Sequence, residues 1–508
     1  MKKTLMLCIG IASSCSILAQ DITDAVRYSM DDIQGTARFR AMGGAFGALG
    51  GDMSAVNINP AGSVIFNNSH ASASIGVFNK KDDISYFDGL TTSSNSNFDI
   101  NQLGVSFVFV NRDESSPWKK FALSAAYDRL ADFDDDWVAR GVNPNNSIGS
   151  YFLLNAQGKR LDEISAFPDE TISQAYSEIG SFYGFENQQA FLGYEGFIID
   201  PVDNVDNNTA YVSNIDLNGT DFSQQFLYAS RGYNGKVAFN FATSYNDKIF
   251  LGINLNAHFI DYERTTVLNE SNSNANSTIT RVDFENNLLT TGSGFSFQLG
   301  GIAKLTEEFR VGLSYNSPTW FRISEETTQY LATSRIENDM NVNQIINPNV
   351  INIFPEYRLQ TPSKLTGSVA YIFGKTGLLS FDYSIKDYSN TKFRPTSDIF
   401  FSALNSNINN ALDTSNSYRL GGEYRFKQFS FRGGYRFEES PYKDDNFYGD
   451  LTGYSLGVGY NFGNLNLDFA FSQAERDINY QLYNVGLTDS ALIQSKFTDF
   501  ILTLGFRI

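Results

Sequence analysis

Apolar and polar side chains alternate strictly through Gly377–Asp387. Leu379, Phe381, Tyr383 and Ile385 are separated by Ser380, Asp382, Ser384 and Lys386. Successive side chains of a strand point to opposite faces, so this run predicts a strand with one greasy and one polar face. The same period returns where Tyr418, Leu420, Tyr424 and Phe426 alternate with Arg419, Glu423 and Arg425, and where Phe429, Phe431, Tyr435 and Phe437 alternate with Ser430, Arg432 and Arg436. It returns again in Tyr454, Leu456, Val458, Tyr460 and Phe462, and in Leu465, Leu467, Phe469 and Phe471 beside Asp468. About fourteen such segments follow one another, centred near residues 74, 105, 125, 241, 255, 298, 313, 368, 382, 422, 433, 457, 469 and 502.

A soluble sandwich alternates too, but its open face is mostly charged and rich in Thr. Here the second face carries Gly, Ser, Asn and a few charges, the composition of a wet or plugged lumen. The pattern therefore predicts an all-β, antiparallel transmembrane barrel. An even strand number returns the last strand to the side on which the first began. Connector lengths agree. Short turns fall at Asn246-Asp247-Lys248, Leu305-Thr306-Glu307, Gly374-Lys375-Thr376, Phe426-Lys427-Gln428 and Phe462-Gly463-Asn464, with 111–119 somewhat longer. Long polar connectors are expected at 79–99, 134–231, 264–286, 330–356, 390–414, 440–449 and 481–495, the asymmetry of periplasmic turns and external loops. The terminal run puts Phe500, Leu502, Leu504, Phe506 and Ile508 on one face, ready to close on the first strand. In this register Arg419, Glu423, Arg425, Arg432, Arg436 and Asp468 face the lumen.

Composition narrows the choice. Among 508 residues 15% are aromatic, yet the mean hydropathy is -0.25, so bulky apolar groups are interleaved with polar ones. After residue 20 no run approaches the ~18 apolar residues of a spanning helix, which leaves a closed barrel as the way to cross lipid. A net charge of -18 argues against a nucleic-acid partner. Residues 1–19 read as an export signal, with Lys2 and Lys3 before an apolar stretch and Ala19 at the cut; lipid attachment at Cys15 is the minor alternative. Cleavage removes Cys8 and Cys15, so disulfides, thiolate metal sites and a Cys nucleophile are excluded together.

Ahead of the first strand, residues 35–66 are rich in Gly and Ala and do not alternate. Met42, Ala45, Phe46 and Leu49 have helical spacing, but Gly43, Gly44, Gly47, Gly50 and Gly51 each cost about 1 kcal/mol in a helix. Such a segment needs a close-packed partner, and a barrel of this size has an interior to fill. Asn59 precedes Pro60 and so marks a turn. The Gly-rich run, Asp52 and above all Asn59-Pro60-Ala61-Gly62 resemble the N-terminal hatch of the FadL-type outer-membrane transporters of long-chain fatty acids and aromatic hydrocarbons. The strand pairs in 361–389 and 417–442 are similar to that family's in order and turn placement. Residues and resemblance together give a signal over 1–19, a hatch over 20–68 plugging a barrel of about fourteen strands over 69–508, and an expected location in the bacterial outer membrane. The resemblance further implies Asn59, Pro60 and Ala61 as hatch motif and Gly43, Gly44, Phe46, Gly47 and Leu49 as hatch packing.

Two features depart from that pattern. About 15 residues, 20–34, precede the matching region, and the largest insertion follows the third strand rather than a later one. Pocket residues are therefore not transferred. Partners implied are a hydrophobic ligand, outer-membrane lipid and lipopolysaccharide, and the barrel assembly machinery, for a monomer without cofactor or metal.

Catalytic motifs weigh little. Gly453-Tyr454-Ser455-Leu456-Gly457 matches G-x-S-x-G, but that elbow needs a strand-to-helix turn and Ser455 sits inside an alternating run. His258, on the lumen register, reads as a hydrogen-bonded histidine rather than a base. The glycines of 43–51 lack the Gly-Lys-Ser/Thr of a phosphate cradle. Asp132, Asp134, Asp135 and Asp136 read as a solvated acidic loop before a Ca²⁺ site. The insertion 134–231 is too apolar to be merely solvated. Its aromatics pack on one another, or Phe152, Leu154, Phe182, Tyr183 and Phe191 line an external hydrophobic groove. Residues 397–412, with Phe400, Phe401, Leu404 and Ile408 on one face, predict a short helix. The resulting expectation is passive diffusion of hydrophobic small molecules such as long-chain fatty acids through a plugged barrel. The rival is a non-transporting surface protein that binds a partner or envelope component through its long loops.

Overall fold

The computed structural model describes residues 21–338 and 340–508; the expected export signal lies outside them. Fourteen antiparallel strands form a closed barrel. In chain order they are His70–Tyr86 (β1), Gly89–Val110 (β2), Trp118–Asp132 (β3), Phe222–Tyr245 (β4), Ile249–Asn272 (β5), Ile279–Lys304 (β6), Phe309–Asn316 (β7), Lys364–Phe373 (β8), Gly377–Asp387 (β9), Thr414–Phe426 (β10), Phe429–Glu438 (β11), Leu451–Asn461 (β12), Leu465–Gln481 (β13) and Ser490–Arg507 (β14). Each pairs with its chain neighbour, and β14 closes on β1 from His70↔Arg507 to Ser85↔Leu492.

Alternation places the faces. Leu379, Phe381, Tyr383 and Ile385 are exposed on the outside, whereas Ser380, Asp382 and Ser384 are buried inside. Arg419, Glu423, Arg432 and Asp468 are buried on the lumen side, and Arg425 and Arg436 share their phase. These groups form two clusters, one on Glu423 and one on Glu438. Arg432 reaches Glu423 at 2.7 Å and Asp468 at 2.6 Å, Arg425 reaches Glu423 at 2.5 Å, and Arg419 reaches Glu438 at 3.3 Å.

Several expected loops are strands that continue beyond the membrane. Residues 79–99 form the upper half of the β1–β2 hairpin, and 264–286 are mostly β5 and β6 with a short link at 273–278. In water both faces of a strand are polar, as Thr91 to Asn97 are, so the apolar alternation that marks the lipid-crossing part disappears while the ladder continues. Helix α6 (Ile399–Ala411) forms where its pattern predicted it, capped by Asp398, which accepts from Phe400 N and Phe401 N.

The wall is interrupted twice. The β2–β3 ladder starts only at Gln102↔Asp128; above it the third strand bends, and 135–143 pairs with β4 instead. Across this separation Asn97 donates to Asp134 at 2.7 Å, and Arg129 is paired with Asp99. Strand β7 stops at Ser317-Pro318-Thr319 before resuming as Trp320–Glu337. At the same height Thr361-Pro362-Ser363 separates Tyr357–Gln360 from β8. Proline has no N–H for the ladder, so both strands bend together.

Residues 21–66 occupy the lumen. Helices α1 (Ile22–Arg27) and α2 (Ala37–Ala41) are followed by 3₁₀ turns Ser54–Asn57 and Pro60–Ile65. Ala37, Ala41, Met42, Ala45 and Phe46 are fully buried.

Candidate functional site

The N-terminal segment is held to the wall by charge and by backbone contact. Arg38 meets Glu423 at 2.9 Å, and Arg40 pairs with Asp499 and donates to Ser472 at 2.9 Å. Asp382 on β9 accepts from Phe46 N and Gly47 N, each at 2.9 Å. Wall glycines let main chain meet main chain. A Cβ on Gly434 would lie 2.2 Å from the Gly43 nitrogen, and one on Gly312 would lie 2.3 Å from the Gly47 carbonyl oxygen.

Asn59, Pro60 and Ala61 form the tight turn that begins the second 3₁₀ segment. Asn59 Oδ1 accepts from Ala61 N at 3.1 Å, and its Nδ2 donates to Gly47 O at 2.8 Å and to Gly301 O on β6 at 3.0 Å. The turn thus ties the segment to itself and to the wall. Gly43, Gly44, Phe46, Gly47 and Leu49 lie in this buried region, Phe46 and Leu49 clustering with Ile33, Phe39 and Met42. Asp52 accepts from Thr36 Oγ1 at 2.8 Å and Ser54 N at 2.9 Å, joining the two ends of the glycine-rich run.

Beside this segment lies a cavity of about 90 Å³, lined by residues 31–34 and by Asp128, Lys236, His258, Lys364, Lys386 and Arg419. It touches both interruptions of the wall, at Arg129 and Leu130 and at Ser317, Thr319, Thr361 and Pro362. Asp31 Oδ2 stands 3.0 Å from Lys364 Nζ and 3.4 Å from Lys386 Nζ. Burial would raise this carboxyl, but the two ammonium groups outweigh it and hold Asp31 well below the usual carboxylate range. Eight lining residues, Tyr28, Ser29, Asn57, Arg129, Asn234, Asn256, His258 and Arg419, each have a buried polar atom without a hydrogen-bond partner. Such atoms cost about 1–3 kcal/mol each unless satisfied, so the cavity is built for polar contents.

At the β2–β3 separation the segment binds both strand edges. Asp32 N donates to Leu130 O at 2.8 Å, and Asn101 Nδ2 donates to Gly35 O at 2.5 Å. The first bond occupies a backbone carbonyl that a continuous ladder would have used, and the second ties the segment to β2 through a side chain.

Residues 206–492 match the family model described as outer membrane protein transport protein (OMPP1/FadL/TodX). The chain belongs to this family. Its home is accordingly the outer membrane of Gram-negative bacteria. Solved structures agree in fold: the Pseudomonas putida toluene transporter TodX (12% identity, 94% of this chain and 99% of that one, TM-score 0.52) and a Pseudomonas aeruginosa FadL homologue (12%, 94% and 99%, TM-score 0.53). The CymD monoaromatic hydrocarbon channel is similar at 12% identity over 94% and 99%, with TM-score 0.50. No curated protein matches the chain in sequence.

Within this family member the external insertion is a folded cap. Helices α3 (Ile148–Ala156), α4 (Ile172–Tyr183) and α5 (Phe185–Glu195) pack on the tops of β4, β5 and β6 through Phe222, Leu268 and Phe284. Phe152 and Phe191 are fully buried in that core, so the expectation that they line an external groove is corrected: self-packing takes them. Leu154, Phe182 and Tyr183 are exposed, and the last two end α4 side by side.

The other motifs resolve into structure. Ser455 lies within β12, its Oγ accepting from Gly43 N at 3.2 Å, and His258 Nε2 is 2.8 Å from Ser296 Oγ. Amides of the glycine run are occupied, Gly44 N by Phe39 O and Gly51 N by Gly62 O. Asp132, Asp135 and Asp136 meet Arg129, Lys80 and Arg231, and no metal-binding cluster occurs among the described residues. Asp31, Lys236 and Lys364 escaped the sequence reading. Lys386 was visible in the polar phase of β9, but its partnership with a residue 355 positions away leaves no local signal.

Proposed function

We propose that this protein conducts amphiphiles with an anionic head and an apolar tail, long-chain fatty acids rather than uncharged aromatic hydrocarbons, by passive diffusion. The observation that carries this reading is the cavity at the edge of the hatch, where Lys236, Lys364, Lys386 and Arg419 converge and Asp31 supplies the carboxylate. A hydrocarbon gains nothing from buried ammonium groups, whereas a fatty-acid carboxylate takes the place of Asp31 with the same charge and hydrogen-bonding geometry. Exchange at Asp31 loosens residues 29–35 and with them the bonds from Asp32 and Asn101 that close the β2–β3 separation, giving the tail a sideways exit. About 90 Å³ accommodates a head group and a few carbons, well below the ~150 Å³ that holds benzene, so the seating described is a closed one.

The test is uptake in cells carrying Lys364→Gln and Lys386→Gln together, at matched surface levels. Fatty-acid uptake is expected to fall about tenfold, with toluene entry unchanged. Equal loss of both substrates would reject the head-group reading, and uptake of neither by the parent protein would favour the surface-binding rival.

A further inference from the structure

A row of like charges on the outer wall points beyond the lumen. Arg322 lies directly opposite Arg358, and Arg358 directly opposite Arg394, in consecutive ladders. All three are exposed and alternate with buried Phe321, Ile323, Tyr357, Leu359 and Phe393, so their guanidinium groups point away from the barrel. Directly opposed side chains have Cβ atoms about 5 Å apart, and like charges so placed destabilise a sheet. Within the wall, Arg394 spends Nε and Nη2 on the neutral Gln360 Oε1 at 3.0 and 2.8 Å. Lys392 opposes Gln360 one row below and adds a fourth cation, while Glu356, also exposed, precedes the Arg358 strand.

The height of the row identifies what stands against it. A strand crosses the hydrocarbon in about 9–11 residues, and β7 starts at the periplasmic turn with Phe309. Trp320 and Phe295, opposite each other and about half exposed, are placed like the aromatic girdle of the outer interface. Arg322 is the next outward-facing residue, just above that girdle. Arginine is costly at the bilayer midplane but nearly free at the interface. A groove of about 250 Å³ runs between Trp320, Arg322, Arg358 and Arg394, over the strand backbone at Phe321 and Leu359.

We propose that this row binds the phosphate groups of lipopolysaccharide in the outer leaflet. Planar guanidinium forks one strand apart match phosphate oxygens bidentately, and the phosphates offset the repulsion along the row. The exposed Trp320 face receives the adjoining sugar and acyl groups. The site is independent of transport, because none of its arginines touches the lumenal cavity.

The experiment uses the full-length barrel in detergent, with binding of diphosphorylated lipid A and of the same lipid stripped of phosphate followed by native mass spectrometry. The parent protein is expected to prefer the phosphorylated form by about tenfold or more, and the variant carrying R322Q, R358Q and R394Q to lose that preference. Heat-modifiable gel mobility reports folding of the variant. If the triple variant does not fold, R358Q, the central position, carries the same comparison. Equal binding of both lipids by the parent, or an unchanged preference in the folded variant, overturns the proposal. Inorganic phosphate alone binding as tightly as the lipid would overturn the lipid assignment.

Discussion

Asn59 illustrates what one residue of the lumenal segment does against this wall. Its amide serves three partners, Ala61 N, Gly47 O and Gly301 O, and alanine serves none. Barrel ladders do not include it, so replacing Asn59 and Pro60 by alanine is expected to leave insertion and heat-modifiable mobility intact. Each lost bond weakens hatch seating by about 1 kcal/mol, and fatty-acid uptake at matched surface level should rise several-fold. Unaltered uptake would remove the turn from gating and favour the surface-binding rival. The turn was legible in the sequence because its preference is local: Pro60 fixes φ and Asn59 caps its own backbone. The lumen-facing Arg432 and Glu423 were legible for a similar reason, since period-two alternation assigns every residue of a strand to a face. The pairing of Glu423 with Arg38 was not legible, because it joins chain segments far apart.

Elements differ in how openly they declare themselves. Strands in lipid are marked by alternation, but their extensions into water are not, which is why the β1–β2 hairpin reads as a loop yet folds as one ladder. The cap presents the converse case. Its aromatics announce burial without saying against what, and the structure commits Phe152 to a core with Phe284, Phe191 and Tyr151. Phe152→Ala should cost the cap about 3–5 kcal/mol while sparing the barrel. Protease digestion of intact cells checks this: new cleavage within 144–221 is expected with unchanged heat-modifiable mobility. Loss of the barrel band would mean that the cap is needed for assembly.

Taken whole, the molecule is a rigid wall around a segment whose docking depends on charge. Burial pushes the carboxyl of Asp24 up to about 6, with Asp21 adding to the shift. Its usual value is 3.8, so between about 4 and 6 the docked segment binds more protons than a released one. Docking through this group therefore strengthens as pH falls from 7 toward 4 and is weakest above 6. Asp31 acts oppositely, but its depressed value places its loss below that window. Hydrogen exchange across residues 21–35, corrected for intrinsic rates, should be slower at pH 5 than at pH 7.5, and Asp24→Asn should reduce the difference. A segment that exchanges faster at pH 5 would contradict the assignment. The sequence by itself determined the barrel, its strand number, the face of each spanning side chain and the place of the turn at Asn59-Pro60, because these follow from period-two patterning and local backbone preference. Only the tertiary structure decided that Asp31 bridges Lys364 and Lys386, that the β2–β3 ladder opens where Asp32 and Asn101 bind the hatch, and that Arg322, Arg358 and Arg394 share one row. Each of these depends on which residues closure of the barrel brings to the same height, a relation between distant strands that no stretch of chain contains.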